Sequence, residues 1–244
     1  MQGVVVPPLS KGDFFMRTNS LEKTKKLVTV ALFCALAFIG MNFRINVAFL
    51  SYDLKDAFIT IGAMFLGPIA GITMSAIVAL LEFITISDTG VYGLIMNFIS
   101  SAVFALVAPL IYKYRRKLSG AVIGLLCSVI TTVVIMMAAN LLITPYYMGV
   151  TIDDVIGLIP TLLLPFNAVK CVLNASLVLL LYKPTTTALR ASGLLKKPAT
   201  SQAVYLPKKR LHTIIVVIVS LIVIAACLTV FFVFMSGSVE FTKS

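Results

Sequence analysis

Six apolar runs govern what this chain can become, at about 27–43, 57–86, 91–112, 119–143, 162–182 and 211–236. Apolar runs of such length read as helices that cross a bilayer. Only 12% of the residues are charged and 60% are hydrophobic, against about 25% charged in soluble domains. The chain is therefore expected to be an all-α integral membrane protein. Its net charge of +11 does not argue for nucleic acid. The basic residues cluster beside the apolar runs, where they act as topology signals.

One run is ambiguous. As a single helix, 57–86 would extend roughly 45 Å at 1.5 Å per residue, against a hydrocarbon core of about 30 Å. It also contains Gly67-Pro68, a strong turn signal. Charge decides the count. With Lys23, Lys25 and Lys26 cytoplasmic, a single crossing puts Lys113, Arg115, Arg116 and Lys117 outside, together with the basic residues between 183 and 210. A turn at Gly67-Pro68 returns all of them to the cytoplasm, as the positive-inside rule requires. Seven spans follow: 27–43, 55–66, 68–86, 91–112, 119–143, 162–182 and 211–236. The N-terminus is then cytoplasmic and the C-terminus external.

This division predicts a cytoplasmic segment 1–26, a six-helix membrane domain 27–182 and a basic cytoplasmic linker 183–210. An additional transmembrane helix at 211–236 and an external tail at 237–244 complete it. The last helix is apolar all round apart from Ser220 and Thr229, as lipid-facing or peripheral helices are. Residues 1–15 add little of structural meaning, and Met16 is an alternative start. No small-x-small cleavage site follows the first apolar run, so no cleaved signal is expected.

Polar residues inside the runs carry the functional signal. Asn167, Lys170 and Asn174 are spaced three and four apart and form one stripe on a helix. A lysine at membrane depth costs about 2.5–3.5 kcal/mol on insertion scales unless something receives it. Asn97 and Ser101 share a face of the fourth span with Gly93, and Asn140 lies near the outer end of the fifth. Three helices thus present asparagines at similar depth below the outer surface. The loops 44–56, 87–90 and 144–165 roof the place where they meet, which is the layout of a ligand pocket. Duller roles compete. A single asparagine can be helix–helix glue, and Lys170 can snorkel outward. Asp53 can cap the second helix, and Glu82 can be a buried partner of Lys170 or Lys55.

Other chemistries are poorly supported. Cys34, Cys127, Cys171 and Cys227 lie in apolar runs without metal or redox spacing. His212 is the one histidine and reads as interfacial. No segment matches a P-loop, so this chain alone is not expected to bind and hydrolyse ATP that way. Glu82 and Asp88 lack a nucleophile–base pair or metal cluster beside them, so no enzyme is expected. Paired repeats and midplane ion sites, the marks of secondary transporters, are not evident.

Several segments resemble a known family. They are Phe49-Leu-Ser-Tyr-Asp-Leu-Lys-Asp56, Phe65-Leu-Gly-Pro-Ile-Ala-Gly71 and Ser87-Asp-Thr-Gly with Gly93-Leu-Ile-Met-Asn97. Asn140-Leu-Leu-Ile-Thr-Pro-Tyr-Tyr-Met-Gly149 and Leu164-Pro-Phe-Asn-Ala-Val-Lys170 complete the set. Over about 27–190 the chain resembles the riboflavin-specific substrate-binding subunit, or S component, of energy-coupling factor (ECF) transporters. The resemblance implies a six-helix core that takes riboflavin from outside as a transported ligand, with no resident cofactor. It implies a transmembrane coupling subunit and two cytoplasmic ATPases as partners. It maps flavin contacts onto Leu50, Tyr52, Asp53, Asn97, Asn140, Asn167 and Lys170, and the coupling-subunit contact onto Ala31 and Ala35. Phe49, Tyr52, Tyr92, Phe98, Tyr146 and Phe166 are candidate stacking surfaces. A phosphate would want external cations, for which only Arg44 and Lys55 are available, so acceptance of FMN is left open. Another small nutrient, or a stand-alone secondary transporter, are the alternative readings. The seventh helix and its linker fall outside the six-helix pattern.

Overall fold

Gly67 divides the long apolar run. The structure, a computed structural model, describes residues 11–47, 50–87, 89–114, 118–194, 207–235 and 239–240. Helix α2 (Lys55–Leu66) stops at Gly67, whose φ of 104° suits glycine. Helix α3 (Pro68–Thr85) starts at Pro68, where a fixed φ and a missing N–H cost nothing.

Helix α1 spans Lys11–Met41, so the helix starts well before residue 27. A hairpin of β1 (Ile45–Val47) and β2 (Leu50–Tyr52) links α1 to α2. Helix α4 is Gly90–Tyr114 and α5 is Leu118–Met148. A short α6 (Ile152–Leu158) and a π-helical turn at Ile159–Leu163 lead into α7 (Leu164–Ala191). Helix α8 is Pro207–Met235, and β3 (Val239–Glu240) follows. Among the described residues, five helical stretches are long and apolar enough to cross a bilayer, and Ile214–Thr229 is a shorter apolar one. At twelve residues, α2 reaches about 18 Å at 1.5 Å per residue.

Three expectations need correction. The bundle is helical, but the 44–56 loop is not irregular, because β1 and β2 within it join β3 in a small sheet of order β2-β1-β3. Ile45-Asn-Val and Leu50-Ser-Tyr alternate apolar and polar, a strand pattern too short to stand out. The stretch 144–165 is not a loop. Pro145 sits inside α5, which runs on to Met148, and α6 starts with a capping box. There Thr151 Oγ1 accepts from the Asp154 backbone, and Asp154 Oδ2 accepts from the Thr151 backbone at 3.0 Å. The linker does not begin at residue 183 either, since α7 passes through Pro184 to Ala191. Neighbouring helices help re-satisfy backbone groups freed by a proline in a membrane helix. Phe49, Asp88, Arg115–Lys117 and 195–206 of the linker lie outside the described residues.

Helix α4 packs between α3 and α5, α7 lies against α2 and α5, and α8 lies against α7. The main core gathers Phe33, Ala37, Met41, Ile59, Ile61, Met74, Val78 and Phe104 from α1 to α4. Small residues set the spacing. A Cβ on Gly71 would stand 2.7 Å from the Ala105 carbonyl and 2.8 Å from the Ala63 side chain, so α3 approaches α2 and α4 through a bare backbone. The hairpin, the start of α4, the end of α5 and the start of α7 share one end of the bundle. At the other end, Lys25 Nζ donates to the Gly193 carbonyl at 3.1 Å.

Candidate functional site: a cavity beneath the hairpin

A cavity opens at the hairpin end of the bundle. Strand β2 contributes Leu50 and Ser51, and Thr89 lies just before α4. Helix α4 adds Tyr92, Gly93, Met96, Asn97 and Ser100, a face with helical spacing. Helix α5 adds Met136, Asn140, Ile143, Thr144 and Tyr147, and α7 closes the ring with Phe166, Asn167 and Lys170. The cavity volume is about 100 Å³, below the roughly 300–1,000 Å³ of small-molecule pockets. A fused-ring ligand therefore enters only if part of this wall moves. The rings of Tyr92 on α4 and Tyr147 on α5 stand 6.2 Å apart, and β2 and Thr89 supply the part of the wall that is not helical.

Of the residues singled out in the sequence, Leu50, Asn97, Asn140, Asn167 and Lys170 meet around this cavity. Tyr52 and Asp53 do not line it. Tyr52 is buried with Phe166 and Leu173. Asp53 accepts from the Lys55 backbone N–H at 3.0 Å and pairs with Lys55 Nζ at 2.6 Å. It thus accepts from the first N–H of α2, although the N-cap position is Leu54 rather than Asp53. Among the candidate stacking rings, Tyr92 and Phe166 line the cavity, whereas Tyr52, Phe98 and Tyr146 do not. Tyr147 and Thr144 were missed. Residues 136, 140, 143, 144 and 147 share one helical face, a signal hidden by taking Pro145 as the end of the helix.

The asparagines are oriented and retain hydrogen-bonding capacity. Asn140 Nδ2 donates to the Met136 carbonyl at 2.7 Å, and its Oδ1 accepts from Thr144 Oγ1 at 3.0 Å. Asn167 Nδ2 donates to the Leu163 carbonyl at 2.8 Å. An amide offers two donors and an oxygen with two lone pairs. Each of these side chains can therefore still donate to and accept from a ligand.

Beneath and beside the cavity lies a buried charge network. Lys55 Nζ contacts Asp53 at 2.6 Å and Glu82 at 2.8 Å, and Arg44 reaches Glu82 at 3.0 Å and the Ile86 carbonyl at 3.1 Å. Lys170 Nζ stands 3.8 Å from Asp56 and 3.4 Å from the Ser51 carbonyl. Ser101 Oγ donates to Asp56. Three cations thus face three carboxylates, and no net charge is buried, as the cost of desolvating lone ions demands. The two lysines differ. Lys55 is held at the short distances of charge-assisted hydrogen bonds, while both contacts of Lys170 are long. Lys170 is only 6% exposed, so it does not reach solvent or acyl chains. It is the loosely held cation of the network, and it borders the cavity. Glu82 partners Lys55 rather than Lys170, and Arg44 and Lys55 are both engaged internally.

Away from the cavity, Ala31 and Ala35 line an apolar groove between α1 and α3 with Val30, Cys34, Phe38, Ile77 and Leu81. Small side chains at such a spacing let a further membrane helix approach closely.

Comparison with known proteins agrees with this architecture. The family described as ECF transporter, substrate-specific component, matches residues 25–182. The riboflavin transporter RibU of Staphylococcus aureus (strain TCH60) is 26% identical over 177 residues, covering 68% of this chain and 93% of that protein. The riboflavin transporter FmnP of Bacillus subtilis (strain 168) is 33% identical over 132 residues, covering 51% of this chain and 70% of that protein. A solved S component of a bacterial ECF transporter superposes with a TM-score of 0.60 at 25% identity, over 69% of this chain and 99% of that one. With the match running from α1 into α7, the chain belongs to the family of substrate-specific components of ECF transporters.

Proposed function

We propose that this chain binds riboflavin from the external side of the cell membrane and delivers it with a transmembrane coupling subunit and two cytoplasmic ATPases. The observation that carries the reading is Lys170, a buried cation with two long contacts, beside Asn140 and Asn167 on the wall of one cavity. A flavin has apolar ring faces and a polar pyrimidine edge of carbonyls and N–H groups. Lys170 donates to a carbonyl of that edge, and the asparagines both donate and accept. Phe166, Tyr92 and Leu50 cover the faces. The riboflavin relatives support the choice of ligand.

On this reading residues 27–182 form the six-helix binding domain, with α2 and α3 as separate spans and the N-terminus cytoplasmic. The cytoplasmic linker follows the end of α7 at Ala191 and leads to α8, a seventh span. The Ala31/Ala35 groove receives a helix of the coupling subunit. Transport needs the whole assembly. In proteoliposomes, flavin uptake should require ATP and all partner subunits. Uptake by this chain alone, driven by an ion gradient, would make it a secondary transporter instead. Another nutrient displacing flavin at lower concentration would reassign the substrate.

A further inference from the structure

The family match ends at residue 182, yet the chain beyond it returns to the binding site in two places. Strand β3 pairs antiparallel with β1, aligning Asn46 with Glu240 and Val47 with Val239. It thereby becomes the third strand beside the hairpin whose β2 carries Leu50 and Ser51 into the cavity wall. Independently, Ile224, Cys227 and Leu228 of α8 pack on the cluster of Tyr52, Phe166 and Leu173, which also includes Ile45, Leu50 and Leu54. These α8 residues are spaced three and four apart, so one helical face is committed to the back of the pocket wall. Ser220, one turn earlier on that face, is 2% exposed.

We propose that α8 and β3 form a strap that positions the β1–β2 hairpin over the cavity and slows both entry and exit of the ligand. The argument joins three observations. The cavity is smaller than a fused-ring ligand, so part of the wall must move. The hairpin is a non-helical part of that wall, with Thr89. Pairing β1 with β3, and packing Leu50 and Ile45 on the same Tyr52–Phe166–Leu173 cluster that α8 covers, fasten it from behind. An isolated two-stranded hairpin is marginal on its own, and a third strand with an apolar backing gives it independent stability. Ile224, Cys227 and Leu228 are positioning residues that act through Tyr52 and Phe166. The inference rests on the proposed riboflavin site for its ligand, but not for the strap itself.

The test uses the full chain. Asn46→Cys with Glu240→Cys places thiols on paired residues, where antiparallel Cα spacing of about 4.5–5.5 Å suits a disulfide. Mass spectrometry verifies the bridge, and failure to form it on oxidation overturns the pairing. With the bridge closed, stopped-flow riboflavin association and dissociation should each slow by about tenfold or more, with affinity changed by less than about threefold. Reduction should restore both rates. Val239→Pro with Glu240→Pro removes the β3 amide donors, and the hairpin amides 45–52 should then exchange hydrogen about tenfold faster. Unchanged ligand rates in the bridged form, or unchanged amide exchange in the proline form, overturn the strap. Exchange needs no ligand. A protein that takes up no riboflavin refutes the functional reading, and the strap is still decided by its amides.

Discussion

Lys170 on α7 and Asp56 on α2 face each other at 3.8 Å, the longest ion pair among the described residues and the one that borders the cavity. Asp56 has a second partner in Ser101, whereas the second hydrogen-bond contact of Lys170 among the described residues is the Ser51 carbonyl, at 3.4 Å. A ligand carbonyl arriving at Lys170 therefore gains a strong donor without dismantling a short pair. Lys170→Ala should weaken riboflavin binding at least tenfold, a loss of about 1.4 kcal/mol or more. The change also strips Asp56 of its counter-ion, so the melting temperature should fall, while helical content and a monodisperse elution profile are retained. Titration of the purified variant at unchanged affinity would remove Lys170 from the site.

Thr144 holds Asn140 by donating to its Oδ1 at 3.0 Å. Thr144→Val keeps the shape and deletes that bond, whose net worth is about 0.5–1.5 kcal/mol. Affinity should fall by about threefold to tenfold. Asn140→Ala should cost more, since it also removes the ligand contact. Equal affinities for both variants and the parent would show that neither residue faces the ligand.

Thr60 on α2 is fully buried, and its hydroxyl has no hydrogen-bond partner among the described residues. Thr60→Val should leave binding intact and hold or raise thermal stability, because an unsatisfied buried hydroxyl costs about 1–3 kcal/mol. A clear drop in melting temperature in detergent would mean that a bound water or ligand hydroxyl pairs with Thr60.

Gly71 is the contact point of α3 with Ala63 of α2 and the Ala105 carbonyl of α4. Gly71→Ala drives a methyl group toward a backbone oxygen that cannot rotate away. Overpacking of this kind costs about 1–3 kcal/mol, so the melting temperature should fall, and Gly71→Val should fall further. A variant as stable as the parent would show that the helices can separate freely there.

Much of this was legible from residue types alone. Gly67-Pro68 and the basic clusters divide the 57–86 run, because a positive-φ glycine and a proline cannot both continue a helix. Asn97, Asn140, Asn167 and Lys170 meet because buried polar side chains need one another or a guest. The rest depended on tertiary context. Pro145 and Pro184 do not end their helices, which run on to Met148 and Ala191. Tyr147 was hidden by that reading. Tyr52 and Asp53 sit beside Leu50 in sequence, yet one turns into an apolar cluster and the other onto Lys55. The pairing of β3 with β1 joins residues nearly two hundred positions apart, and short strands of mixed composition carry no signal for it.

The most direct measurement is an equilibrium titration of the purified full chain with riboflavin, followed by flavin fluorescence and the visible absorption spectrum. A single saturable site should quench the fluorescence and yield a yellow protein at one flavin per chain. A colourless protein with unquenched flavin at every concentration would contradict the account.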